Sequence, residues 1–132
     1  YIMSYSNPVT TRIQSGAVQD LGGTPTGFSF KGPTGMQGTI IDVGIEVTET
    51  FACDQTEAYF QVGSSSDADA YCKLNITDGT AITNTFNIQD DTDAIIAEAI
   101  PADTQIECLP VAGTDSSSVT GQGFTYVVVE WY

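Results

Sequence analysis

The chain contains no histidine. That absence removes Ser-His-Asp and Cys-His triads, His-ligated zinc and haem, and imidazole acid–base chemistry in one step. Basic residues are almost as scarce. Arg12, Lys31 and Lys73 stand against 17 acidic residues, a net charge of -14, so nucleic acid and anionic membrane surfaces would be repelled rather than bound. Leu occurs only three times and Met only twice, against 12 Ile, 10 Val and 18 Thr, which is the composition of strands and not of helices. The longest apolar runs, such as Tyr126 to Val129, fall far short of the ~20 residues of a bilayer span. The opening Tyr1-Ile2-Met3-Ser4 has neither the basic flank nor the apolar core of a signal peptide. Three cysteines cannot all pair within one chain, and none lies in a CxxC arrangement, so no thiol metal or redox motif is present.

What is present is strand and turn patterning across a length suited to one domain. Ile41-Asp42-Val43-Gly44-Ile45-Glu46-Val47-Thr48 alternates strictly, with odd positions apolar, and predicts a strand with one buried and one wet face. Further strands are expected at Val9–Gln14, Glu57–Val62, Tyr71–Ile76, Ile82–Ile88, Ala94–Ala97, Gln105–Val111 and Phe124–Trp131. Gly-, Ser- and Asp-rich turns punctuate them. The last strand is apolar on both faces, as expected of a strand in mid-sheet or of one whose outer face meets a second molecule. The expectation is therefore an all-β fold, an antiparallel β-sandwich resembling a jelly roll. About eight strands form it, with Ile41, Val43, Ile45, Val47, Cys72, Leu74, Ile76, Phe86 and Cys108 inward. Residues 1–26, rich in Pro and Gly around one short strand, read as an irregular N-terminal arm, and residues 27–132 as the sandwich.

Cys72 and Cys108 take apolar positions in their strands and read as small core residues. A Cys53 to Cys72 bridge across a hairpin is left open.

Several constellations carry potential chemistry, each with a plainer reading beside it. Glu46 and Glu130 interrupt apolar strands and are the best candidates for the paired carboxylates of a glycosidase, yet Glu46 falls on a wet face where it needs no special role. Asp67 and Asp69, and Asp90, Asp91 and Asp93, offer calcium-type oxygen ligands but match no calcium-loop pattern, so no metal is expected. Tyr59, Tyr71 and Trp131 would be the members of a sugar-stacking platform, although aromatics in strands usually serve the core. Asn75-Ile76-Thr77 is a formal glycosylation sequon of little weight. No catalytic residue and no cofactor is expected.

The apolar groups Tyr1, Ile2, Met3 and Tyr5 precede about twenty turn-prone residues and lack local partners, so they are expected to lie against another subunit. Together with Trp131 and Tyr132 they form the expected partner-binding set.

Gly32-Pro33-Thr34-Gly35, the stretch Gly38 to Thr48, the stretch Phe60 to Tyr71, Ile100-Pro101-Ala102-Asp103-Thr104 and the terminal Val127-Val128-Val129-Glu130-Trp131-Tyr132 resemble small β-sandwich structural proteins of tailed bacteriophages. The resemblance covers about residues 26–132. It implies a non-enzymatic capsid decoration (cement) protein or head fibre on the exterior of the virion capsid. Its implied partners are the major capsid protein and copies of itself, with a trimer at a threefold position as the expected oligomer. The alternative is a carbohydrate-binding or receptor-binding module of a tail or fibre, marked by a concave aromatic surface in place of flat apolar contacts.

Overall fold

A computed structural model of the protein describes residues 8–52, 58–76, 84–113 and 120–132. Ten strands form in chain order: β1 Val9–Gln14, β2 Gln19–Asp20, β3 Phe28–Lys31, β4 Gly38–Ala52, β5 Ala58–Gly63, β6 Cys72–Ile76, β7 Phe86–Asn87, β8 Ala99–Ile100, β9 Gln105–Val111 and β10 Thr120–Trp131. No helix occurs among the described residues. All pairings are antiparallel, and the strands make two sheets.

The six-stranded sheet runs β1-β10-β4-β7, with β2 also on β10 and β8 also on β4. The four-stranded sheet runs β3-β9-β5-β6. Because β2 prolongs β1 along one edge of β10, and β8 prolongs β7 along one edge of β4, each sheet has four strand positions. The chain crosses between the sheets at six of the nine connections between these strands, and the two layers bury one face of each strand between them.

The pleat decides what fills the space between the layers. Val127, Val129 and Trp131 of β10 and Ile40, Val43 and Ile45 of β4 meet Phe60, Val62, Leu74, Ile76, Ile106 and Cys108 of the facing sheet, all buried. β10 is the mid-sheet strand expected from its two apolar faces, with β1 and β2 on one side and β4 on the other. Cys72 and Cys108 are free and buried, each in register with Val62 on the strand between them. Two strand spacings of about 4.8 Å therefore separate them, beyond disulfide reach. Cys53 lies outside the described residues.

Several boundaries depart from the sequence reading. The expected strand at Ile41–Thr48 extends in both directions into a 15-residue β4. Ile82 and Thr83 of the expected Ile82–Ile88 strand lie outside the described residues, and of residues 84–88 the strand takes Phe86–Asn87. Ala94–Ala97 forms no strand: Ile95 makes an isolated bridge to Cys72, and the short strand lies at β8 instead. From Val9 onward, the lead-in belongs to the six-stranded sheet.

Ile41 corrects the inward set. Val128 is opposite Asp42 while Val129 is opposite Ile40, so Ile41 is the extra residue of a β-bulge. The bulge switches the inward phase from odd positions to even ones, burying Ile40 and leaving Ile41 47% exposed. Val47 is half-buried against the core, and the other seven expected core residues are buried.

The two sides of the sandwich are finished differently. On one side the chain between β7 and β9 is stitched to both sheets. Lys73 N donates to Ala94 O at 2.9 Å on β6, and Ile40 N donates to Glu98 O at 2.8 Å on β4. On the other side β1 and β3 are terminal strands, with no strand beyond them among the described residues.

Candidate interaction surfaces

The register of β1, β10 and β4 arranges the outer face of the six-stranded sheet in rows. Arg12 stands opposite Val128, which stands opposite Asp42, and Gln14 stands opposite Tyr126, which stands opposite Gly44. Tyr126 lies over Gly44, where an added Cβ would come 2.5 Å from its hydroxyl, so a glycine is required beneath the ring. The phenol donates to Asp42 Oδ2 at 3.0 Å, the Arg12 guanidinium covers the ring at 4.1 Å, and Arg12 also pairs with Glu46 at 2.8 Å. Thus Tyr126 is buried although it points away from the core. Burial, and then its bond to the Asp42 carboxylate, push its pKa up to about 12, because both disfavour the phenolate. Sequence reasoning passed over this cluster. The available signal was Arg12, one of only three cations, placed inside a strand.

A second feature lies at the end of the sheet where the chain enters. Val9 is opposite Trp131, so the start of β1 lies beside Tyr132. Tyr132 is 44% exposed and exchanges backbone hydrogen bonds with Gln37. Ile41, the bulge residue beside half-buried Val128, is exposed as well, and so is Val9, which shares the inward phase of Trp131 at the open edge of the sandwich.

Trp131 does not belong to that exposed group. Only 2% of it is exposed, its ring lies edge-on to Phe30 at 6.3 Å, and its Nε1 donates to Thr11 Oγ1 at 2.8 Å. It follows the inward phase of a central strand, and Gly32 and Gly38 leave the space its ring occupies. Tyr1, Ile2, Met3 and Tyr5 lie outside the described residues.

No family model, curated protein or solved structure matches the chain.

The other sequence candidates are scattered. Glu46 is opposite Phe124 on β10, and Glu130 lies six residues further along that strand. At ~3.4 Å per residue the two carboxylates stand roughly 20 Å apart, too far for the ~5 to 9 Å of a glycosidase pair. Asp90 Oδ2 accepts from Asn87 N at 2.9 Å, and Asp91 Oδ2 accepts from Asn75 N at 3.0 Å, so these carboxylates close turns and cap strand amides. Asp67 sits in a serine-bracketed turn, with its amide donating to Ser64 Oγ. No group of three or more His, Cys, Asp or Glu side chains arranged for a metal occurs among the described residues. Tyr59 is half-buried on the outer face of the four-stranded sheet beneath the Lys73 ammonium at 4.4 Å, whereas Tyr71 and Trp131 are buried. These three aromatics form no common platform. Asn75 is half-buried on β6, and Thr77 lies outside the described residues.

Proposed function

We propose that this chain is a non-enzymatic structural protein of a virion, a capsid decoration (cement) protein. It binds the outside of a phage head through the major capsid protein and through copies of itself. The observation that carries the reading is the exposure of three large apolar side chains, Val9, Ile41 and Tyr132, which the sandwich leaves uncovered. Exposed apolar groups suit contact with a neighbouring subunit, and the sequence Tyr1-Ile2-Met3-Ser4-Tyr5 offers more of them. The surrounding -14 charge favours a protein that stays clear of packaged nucleic acid and of aggregation. The jelly-roll sandwich and the phage-like strand-and-turn phrasing support the same reading by analogy.

The test is capture of the protein by undecorated heads, with and without residues 1–8, alongside its localisation in intact particles by microscopy. The full chain is expected on the head exterior. The truncated chain should unfold at nearly the same temperature and bind the heads more weakly. Absence from purified particles, combined with selective binding on a glycan array, would replace this reading with a carbohydrate-binding module. A markedly lower unfolding temperature on truncation would place the segment in the protein's own core and defeat the attachment model.

A further inference from the structure

The two bare strands differ in how they are protected against pairing with another chain. β3 is four residues long and ends on Lys31, the usual defences of an edge. β1 is six residues long, and its one charge, Arg12, is turned back over its own sheet onto Tyr126 and Glu46. Four of its six residues are exposed.

The phase of its backbone follows from the next residue. Ser15 N donates to Thr125 O at 2.8 Å, and the register from Val9 to Gln14 is unbroken. Alternation in an antiparallel ladder then commits the amides and carbonyls of Val9, Thr11 and Ile13 to β10. Those of Thr10, Arg12 and Gln14 point to the open side.

Charge singles out the same edge. The first acidic residue of the chain is Asp20, so residues 1–19 hold one cation and no anion in a molecule of net charge -14. A second copy meets least repulsion there. We propose that β1 is the edge through which two copies of this chain pair, antiparallel, about a two-fold axis centred on Thr11.

That register follows from the sequence of β1. With Thr11 opposite Thr11 of the second copy, Thr10 stands opposite the partner's Arg12, and Val9 opposite the partner's Ile13. The outward amides and carbonyls of Thr10 and Arg12 then bond reciprocally, and Gln14 N–H donates to the carbonyl of the partner's Pro8, a bond that asks no N–H of the proline. Side-chain pairing agrees: threonine meets threonine at the centre, Val9 is covered by a β-branched neighbour, and no like charges are opposed. Slipping the pairing by two, to centre it on Arg12, would set two guanidinium groups directly opposite one another. A two-fold contact makes a dimer in place of the threefold ring expected from a shell position, and it does not depend on the virion reading.

Sedimentation equilibrium of the full chain is the test. A monomer–dimer equilibrium is expected that tightens with added salt, as the repulsion between two acidic bodies is screened. Thr10→Pro removes an outward amide without touching the ladder to β10. It should weaken the dimer about tenfold or more while leaving the unfolding midpoint in place. Val9→Lys, which keeps every backbone donor, should weaken it as well. Deleting residues 1–7 should leave the dimer intact. A wild-type chain that stays monomeric up to about 1 mM at high salt overturns the proposal. So does a dimer that survives both substitutions, or one abolished by the deletion alone, which would move the contact to the N-terminal segment.

Discussion

Asp103 is the one described non-glycine residue with a positive φ, 60°. The left-handed region costs an ordinary L-residue about 1–2 kcal/mol, and Asp is among the few that accept it. Here the side chain is also used, since Asp103 Oδ1 accepts from Gly35 N at 2.8 Å and ties the turn before β9 to the turn before β4. Conformation and hydrogen bond can therefore be separated by substitution. Asp103→Ala loses both and should cost about 2 kcal/mol, while Asp103→Gly loses only the bond and should cost about 1 kcal/mol. Chemical denaturation of the two variants checks the order, and a glycine variant less stable than the alanine one would refute the backbone argument. The Ile100 to Thr104 stretch entered the sequence reading only through the resemblance, and the partner of Asp103, 68 positions away, was not visible there, because a long-range hydrogen bond leaves no local pattern.

At the scale of the element, β4 shows how far alternation can be trusted. Ile41, Val43, Ile45 and Val47 form a flawless period-two series, and three of the four do face or pack against the core. Ile41 fails because the bulge opposite Val128 and Val129 inserts one residue into the ladder, and a one-residue slip turns a side chain to the other face. Two isoleucines four residues apart should therefore respond differently to the same change. Ile45→Ala should cost about 2 to 5 kcal/mol by leaving a cavity, and Ile41→Ala about 0.5 kcal/mol or less. Equal losses in denaturant midpoint would show that the two side chains share an environment. Strands β1 and β9 were legible to the residue because each holds one unbroken phase. β2 and β8, two residues each, exist only because a neighbouring edge was available to them.

Across the whole molecule, the buried protons set the alkaline limit of stability. Burial first, and then the nearby Asp91 and Asp42 charges, raise the Cys72 thiol from 9.0 to about 12, and Tyr126 rises from 10.0 to about 12. Cys108 moves in the same direction, chiefly through burial. Each group holds its proton more tightly folded than unfolded. Their contribution is complete below the unfolded values, and it is lost as pH rises through roughly 9 to 12, where the unfolded chain releases protons first. The free energy of unfolding should thus fall steadily between about pH 9 and about pH 12, with Tyr126→Phe flattening the upper part of that slope. A profile level across this window would show that the thiols and the phenol meet water in the folded state.

Composition and periodicity were enough to determine an all-β chain, its two-layer burial, the central place of β10 and the inward set from Val43 to Cys108. Those properties follow from side-chain chemistry repeated at the pleat's own spacing, which any strand carries with it. Only the tertiary structure decided what lies between strands distant in sequence. It buried Trp131, a terminal aromatic that read as a contact residue, because β1 and β4 flank its strand and Gly32 and Gly38 leave room for its ring. It brought Arg12 across 114 residues of chain onto Tyr126 and left β1, among the described residues, without a strand on its outer side. The physical reason is the same in each case: a register between strands is a relation between two segments, and neither segment encodes it alone.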